Sequence, residues 1–393
     1  MTYDFTTVRK RFRTGSGKWD ELEKFGVHEA DDIIPFSVAD MEFVTAPPIV
    51  EALKHELDTS ILGYANPTEN YREAVCAWFK ARHNWEAKPE WMLSTHGVVD
   101  AFFEAVRAFT KPGDGVMLTT PVYYPMYMAV RDNGRKIVDC PMTYDGKSYG
   151  LDFELFEELA AEPSTTMLIL CSPHNPCGRV WTRGELERIA EICKKHGVLV
   201  VSDEIHCDLL MPGYRHIPFA PLAEENCVVM TAPSKTFNIA GLQTSSVFIP
   251  NAELRAEYFA ALKLHNPNPK CNILGYRAAE AAYRECAGWL DECLEVIDAN
   301  RRLITGFMAL EFPAVKVTEL QGTYLLWLNL KGLGLSYREL ERINHEEAKL
   351  FFDEGYIFGT QGEGFERWNI ACPTKYVEAA LERFKAAYSK YVK

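Results

Sequence analysis

Between residues 92 and 250 the chain alternates two hydrophobic patterns. Short, continuous apolar runs at 116–119, 167–171, 198–202, 227–231 and 246–249 are bounded by Gly, Pro or Asp. That is how strands buried on both faces of a parallel sheet read. Helical periodicity fills the intervals. The clearest case follows Thr182-Arg183-Gly184-Glu185, a capping-box sequence. Leu186, Ile189, Ala190, Ile192 and Cys193 then recur at helix spacing, and Gly197 stands where a helix should stop. The spacing predicts a βαβ unit with a right-handed crossover.

On the N-terminal side, helical patterning begins near Pro48 and continues over 71–82, where Ala74, Val75, Trp78 and Phe79 repeat. Residues 1–46 carry no long period and read as an arm. On the C-terminal side, 276–310 reads as one long helix, 323–330 as a strand, 338–354 as a helix, 365–372 as a strand and 376–388 as a final helix. A chain of 393 residues exceeds one simple core. The expected division is an arm with part of a small domain at 1–47, a large domain at 48–285 and a smaller α+β domain at 286–393. The long helix would cross the second boundary.

Composition narrows the function. Apolar residues are 47% and charged residues 25%, ordinary for a globular protein. A net charge of −13 argues against a nucleic-acid role, which needs a basic surface. No run of roughly 18 apolar residues predicts a membrane span. The N-terminus shows no basic segment followed by an apolar one, so no signal peptide is expected. Eleven cysteines, an odd number without CxxC spacing, read as reduced thiols of a cytoplasmic protein with no metal site.

Three polar segments follow three of the predicted strands. They are Ser172-Pro173-His174-Asn175-Pro176-Cys177-Gly178-Arg179, Val201-Ser202-Asp203-Glu204-Ile205-His206 and Ala232-Pro233-Ser234-Lys235-Thr236-Phe237-Asn238. Strand ends are where open α/β sheets place ligand chemistry. Lys235 precedes Phe237, Ile239, Ala240 and Leu242, and a lysine among apolar neighbours needs a reason. An amine there can hold an aldehyde cofactor such as pyridoxal phosphate, and then serve as a base. Asp203 could pair with the cofactor's pyridine nitrogen, or be a turn or cap residue. Asn175 could donate to the ring oxygen, or simply shape the Asn-Pro turn. His206 could contact the same oxygen, or be a structural histidine. Gly97, Val98 and Val99 open a helix-like stretch whose N–H groups suit a phosphate, although a plain turn explains the glycine too. Ser234 is a second phosphate or ring donor. In Pro121-Val122-Tyr123-Tyr124-Pro125 an aromatic ring could stack on the cofactor or belong to the core. Arg367 could hold an α-carboxylate bidentately, or make an ordinary salt bridge.

These strings resemble the fold-type-I pyridoxal-phosphate enzymes, the aspartate aminotransferase superfamily (class I/II). The resemblance covers nearly the whole chain and is closest to the cystathionine β-lyase / C–S lyase subgroup of the MalY/PatB type. The strings that carry it are Lys18-Trp19-Asp20, Ala39-Asp40-Met41-Glu42-Phe43, Gly63-Tyr64, Gly97-Val98-Val99, Ser234 to Gln243, and Phe365-Glu366-Arg367-Trp368-Asn369-Ile370-Ala371-Cys372-Pro373. It implies a PLP-dependent transferase-like α/β fold: a large domain on a mainly parallel seven-stranded sheet, plus a smaller α+β domain. It implies Lys235 as the Schiff-base lysine, Asp203 as the pyridinium partner, Asn175 on the ring hydroxyl and Tyr123 stacked on the ring. Gly97, Val98 and Ser234 would hold the phosphate, Arg367 the substrate carboxylate, and Tyr124 would touch the substrate. Tyr64 would reach the phosphate of a neighbouring subunit, implying a homodimer with its active sites at the interface.

Some positions depart from the superfamily pattern. Gln243 stands where many aminotransferases carry a phosphate-binding arginine, Ala232 where many carry serine, His206 where tyrosine is common, and Glu42 where aspartate is usual. The phosphate site must then lean on backbone amides and Tyr64. The implied reaction is α,β-elimination from L-cystathionine, L-cysteine or a related S-substituted cysteine, giving thiol, pyruvate and ammonia. A class I/II aminotransferase is the first alternative, since both reactions begin with removal of the same Cα proton. A regulatory binding protein on an inactive fold is the second.

Overall fold

The computed structural model describes residues 2–391. A seven-stranded sheet forms its centre. From one edge the order is Met92–Thr95, Ser245–Phe248, Cys227–Thr231, Leu199–Asp203, Thr165–Cys171, Gly115–Thr120 and Lys136–Pro141. Five strands pair in parallel, four of them on the unbroken apolar runs read from the sequence. Ser245–Phe248 is reversed and pairs antiparallel with both neighbours, which the apolar run at 246–249 could not reveal. Pattern also missed both edge strands. Met92–Thr95 is half polar, and Lys136–Pro141 is mostly uncovered. An edge strand needs no continuous apolar run.

Helices cover both faces. Val98–Phe109 and Ala252–His265 close one apolar layer, with Phe102, Val106, Tyr258 and Leu262 against Val201 and Val228 of the sheet. Arg183–His196 lies over the other face, with Leu186, Ile189 and Cys193 buried. Its ends follow the sequence. The Thr182 hydroxyl accepts from the Glu185 N–H at 3.3 Å, Glu185 accepts from the Thr182 N–H at 2.8 Å, and Gly197 ends the helix at φ 71. Thr182→Ala should therefore cost about 1 kcal/mol, read as a lower urea midpoint at unchanged slope.

The second sheet is antiparallel, in the order Lys316–Val317, Leu325–Asn329, Phe365–Asn369, Asp353–Glu354. Two predicted helices differ here. The stretch 276–310 is two helices, Ile273–Glu285 and Ala287–Glu311, interrupted at Cys286. A one-residue break leaves the apolar spacing on each side intact, so periodicity does not register it. The expected helix 338–354 ends early. Tyr337–Arg342 passes into a π-helical turn, Ile343–Ala348, and Lys349 turns at φ 50 into the edge strand Asp353–Glu354. Leaving the helix lets Phe352 pack on Phe36 and Trp368. The same turn lets Phe351 accept the Phe36 N–H at 2.8 Å. The N-terminal arm is thereby tied to the second sheet.

Candidate active site

Thr120, Cys171, Asp203 and Thr231 end parallel strands on one edge of the large sheet, and a cavity of about 230 Å³ lies there. Nine of the residues singled out from sequence line it: Gly97, Val98, Val99, Tyr123, Asn175, Asp203, His206, Ser234 and Lys235.

Lys235 stands in the short helix Pro233–Thr236, directly after the strand Cys227–Thr231. Its Nζ donates to the Ala39 carbonyl at 2.7 Å. Burial lowers its pKa to about 8, against the opposing pull of Asp40 and Asp203. Asp203 closes its strand, and burial raises its carboxyl to about 7. Oδ1 accepts the Ile205 N–H at 3.1 Å, and no hydrogen bond to Oδ2 is found among the described residues. Burial also pushes His206 well below the usual imidazole range, and its Nδ1 has no partner.

Gly97 precedes the helix Val98–Phe109 at φ 145, in the region that favours glycine. The N–H groups of the first turn have no intrahelical acceptor, so Val98 and Val99 present free donors to the cavity. Tyr123 is a further wall, and burial raises its phenol.

Three predicted site residues stand apart. Arg367 lies in the strand Phe365–Asn369, next to the cavity. It donates through Nη1 to Asn175 Oδ1 at 3.0 Å and pairs through Nη2 with Asp353. Its buried Nε has no acceptor. The salt bridge weighed for Arg367 thus exists, and its Nε N–H is among the donors left without a partner. Tyr124 is partly exposed, its ring 5.2 Å from that of Tyr123. Tyr64 is 99% exposed and touches none of these groups.

Sequence reasoning missed Asp353, which sat inside an expected helix, and the Ala39 carbonyl, which as a backbone atom leaves no mark in residue type. Gln243, noted only as a departure, also lines the cavity.

A half-buried lysine and a buried carboxyl at strand ends of a doubly covered sheet, with helix-start amides lining the same cavity, define a cofactor-dependent α/β enzyme. The chain belongs to the aminotransferase class I and II family, which it matches over residues 31–384. It is similar to cystathionine beta-lyase PatB of Bacillus subtilis, 42% identical over 390 residues, covering 98% of this chain and 100% of that one. Protein MalY of Escherichia coli is 33% identical over 381 residues, covering 96% and 97%. Among solved structures, cystalysin from Treponema denticola, which contains a pyridoxal 5′-phosphate cofactor, aligns with a TM-score of 0.96. It is 43% identical, covering 99% of this chain and 100% of that one.

Proposed function

We propose that this chain cleaves the Cβ–S bond of L-cystathionine, L-cysteine or a related S-substituted cysteine, releasing thiol, pyruvate and ammonia. It is a pyridoxal-phosphate-dependent carbon–sulfur lyase. One observation carries the cofactor assignment: Asp203 is a buried carboxyl without a cationic hydrogen-bond partner, lining the same cavity as the half-buried Lys235 amine. A lone buried carboxylate is costly, and a protonated ring nitrogen would satisfy it. The amine fits an aldehyde, and the amides of Val98 and Val99 with the Ser234 hydroxyl fit a phosphate.

Bound there, the cofactor supplies an aldehyde that links to amines and an electron-poor ring that draws charge from Cα. Asp203 would keep the proton on the ring nitrogen. Asn175, its Oδ1 held by Arg367, would have its amide nitrogen free to donate to the ring oxygen. Tyr123, a wall of the cavity, would cover the ring. Arg367 receives the α-carboxylate with the N–H groups that Asn175 and Asp353 leave free. Lys235 takes the Cα proton, and the thiolate leaves from Cβ. Arg367→Lys should lower kcat/KM by about 10–100-fold, mostly through KM, because an ammonium cannot reproduce the planar fork. Steady-state kinetics on L-cystathionine check this.

Incubation with L-cystathionine and no keto acid tests the activity. Pyruvate and thiol are the expected products. Absence of pyruvate, with the cofactor left in its amine form, would make the chain a transferase instead.

We also read the protein as a cytoplasmic homodimer. Ile61 is 90%, Leu62 59% and Tyr64 99% exposed, an apolar segment that a second copy would cover. Tyr64 would then reach the phosphate end of that copy's cavity. All eleven cysteines are free, as suits a reducing compartment. Among the described residues no helix is long and apolar enough to cross a membrane.

A further inference from the structure

The strings Lys18-Trp19-Asp20 and Ala39-Asp40-Met41-Glu42-Phe43 meet in one ion cluster beside Lys235. Lys18, its side chain almost wholly buried, places Nζ 3.2 Å from Asp40 Oδ1 and 2.8 Å from Glu42 Oε1. Arg11 closes the cluster, 2.9 Å from Asp40 Oδ2 and 3.0 Å from Glu42 Oε1. Trp19 Nε1 donates to Glu42 Oε2 at 3.1 Å. Cations and carboxylates balance, which is how charges persist away from water.

The cluster also grips the backbone. Lys18 donates to the Asp40 carbonyl at 3.0 Å. Asn369 Nδ2 donates to that carbonyl at 2.7 Å and to the Val38 carbonyl at 2.8 Å. Asn238 accepts the Met41 N–H at 2.9 Å and donates to the Met41 carbonyl at 3.0 Å. Val38 sits at φ 33, a strained conformation for a β-branched residue that only its surroundings can hold. The group so fixed is the Ala39 carbonyl. It accepts from Lys235 Nζ at 2.7 Å and from the Tyr324 hydroxyl at 2.9 Å.

We propose that Lys18 and Asp40 are positioning residues for Lys235: together they lock the carbonyl to which the free amine donates, and they set the charge it feels. The inference rests on the reading of Lys235 as the cofactor lysine. Lys235 is free only between its release from the cofactor and its return, and in that interval it must stay in place and accept a proton. Donating one N–H to Ala39 anchors the amine and leaves its lone pair available. The charged groups that act on it are Asp40, Asp203, Arg367 and Lys18. The carboxylates favour its charged form and the cations oppose it. His206 shares the cavity, and burial keeps it neutral. Lys18 and Asp40 thus hold one backbone segment together while acting on the amine with opposite signs.

That opposition provides the test. Cofactor is removed, and the rate of covalent pyridoxal-phosphate uptake is followed against pH. Only the neutral amine attacks an aldehyde, so the wild-type rate should rise through a midpoint at about 8. Asp40→Asn should move the midpoint down and Lys18→Met should move it up, each by about half to one unit. Thermal melting of both variants accompanies the titration, and Asp40→Asn carries the test alone if Lys18→Met does not fold. Midpoints that stay put, or move in the same direction, in proteins that still take up cofactor overturn the inference. A wild-type chain that takes up none overturns the reading of Lys235, and this inference with it.

Discussion

Lys235→Ala should lower pyruvate release from L-cystathionine by about ten-thousandfold or more, since it removes both the covalent anchor and the base. The amine is the one group in the cavity able to do both. Burial has already brought its pKa to about 8, so a substantial neutral fraction exists near physiological pH. The sign follows from the ordinary lysine value of about 10.4: desolvation penalises the cation, so the proton leaves at lower pH. Borohydride reduction provides a readout separate from turnover. Wild-type protein should retain cofactor covalently after reduction and denaturation, and Lys235→Ala should retain none. Covalent retention in the variant would mean that another amine holds the cofactor.

Asp203→Asn should cost about 10²–10³-fold in kcat, the loss typical of one preorganised electrostatic partner, with KM little changed. In the cofactor-free cavity burial holds the Asp203 carboxyl up at about 7. A ring nitrogen that brings its own proton supplies the missing cation, so the carboxylate becomes the favoured form on binding. Asparagine fills the same space but carries no charge to hold that proton. Cofactor should still be fixed by borohydride through Lys235, which separates this loss from failure to bind. Full turnover in Asp203→Asn would remove the carboxylate from the mechanism.

The elements most legible in the sequence were those governed by local rules. The capping box at Thr182 and the stop at Gly197 appear as read, because a cap is settled within one turn. The strand Cys227–Thr231 has the bounds its apolar run predicted, because a strand covered on both faces needs apolar residues at every position. The break at Cys286 and the early end of the helix after Arg342 were not legible. The first leaves the apolar spacing on each side intact, and the second answers to neighbours distant in the chain, Phe36 and Trp368 against Phe352. The reversed strand Ser245–Phe248 was hidden for a similar reason: direction in a sheet is set by the path of the connection, not by side-chain pattern.

By itself, the amino-acid order determined the kind of chemistry: an amine, a carboxyl and an asparagine turn, each just past an apolar run, together with a glycine-led helix. Those signals are local, since residue type and short spacing decide what a strand end can offer. Only the tertiary structure decided that Lys235 rests on the Ala39 carbonyl, that Arg367 is already engaged by Asp353 and Asn175, and that Lys18 and Asp40 share a buried cluster beside the amine. Hydrogen bonds and desolvation act through space, and pairs such as Ala39 and Lys235 are joined by the packing of the arm against the sheet ends, which no short stretch of chain encodes.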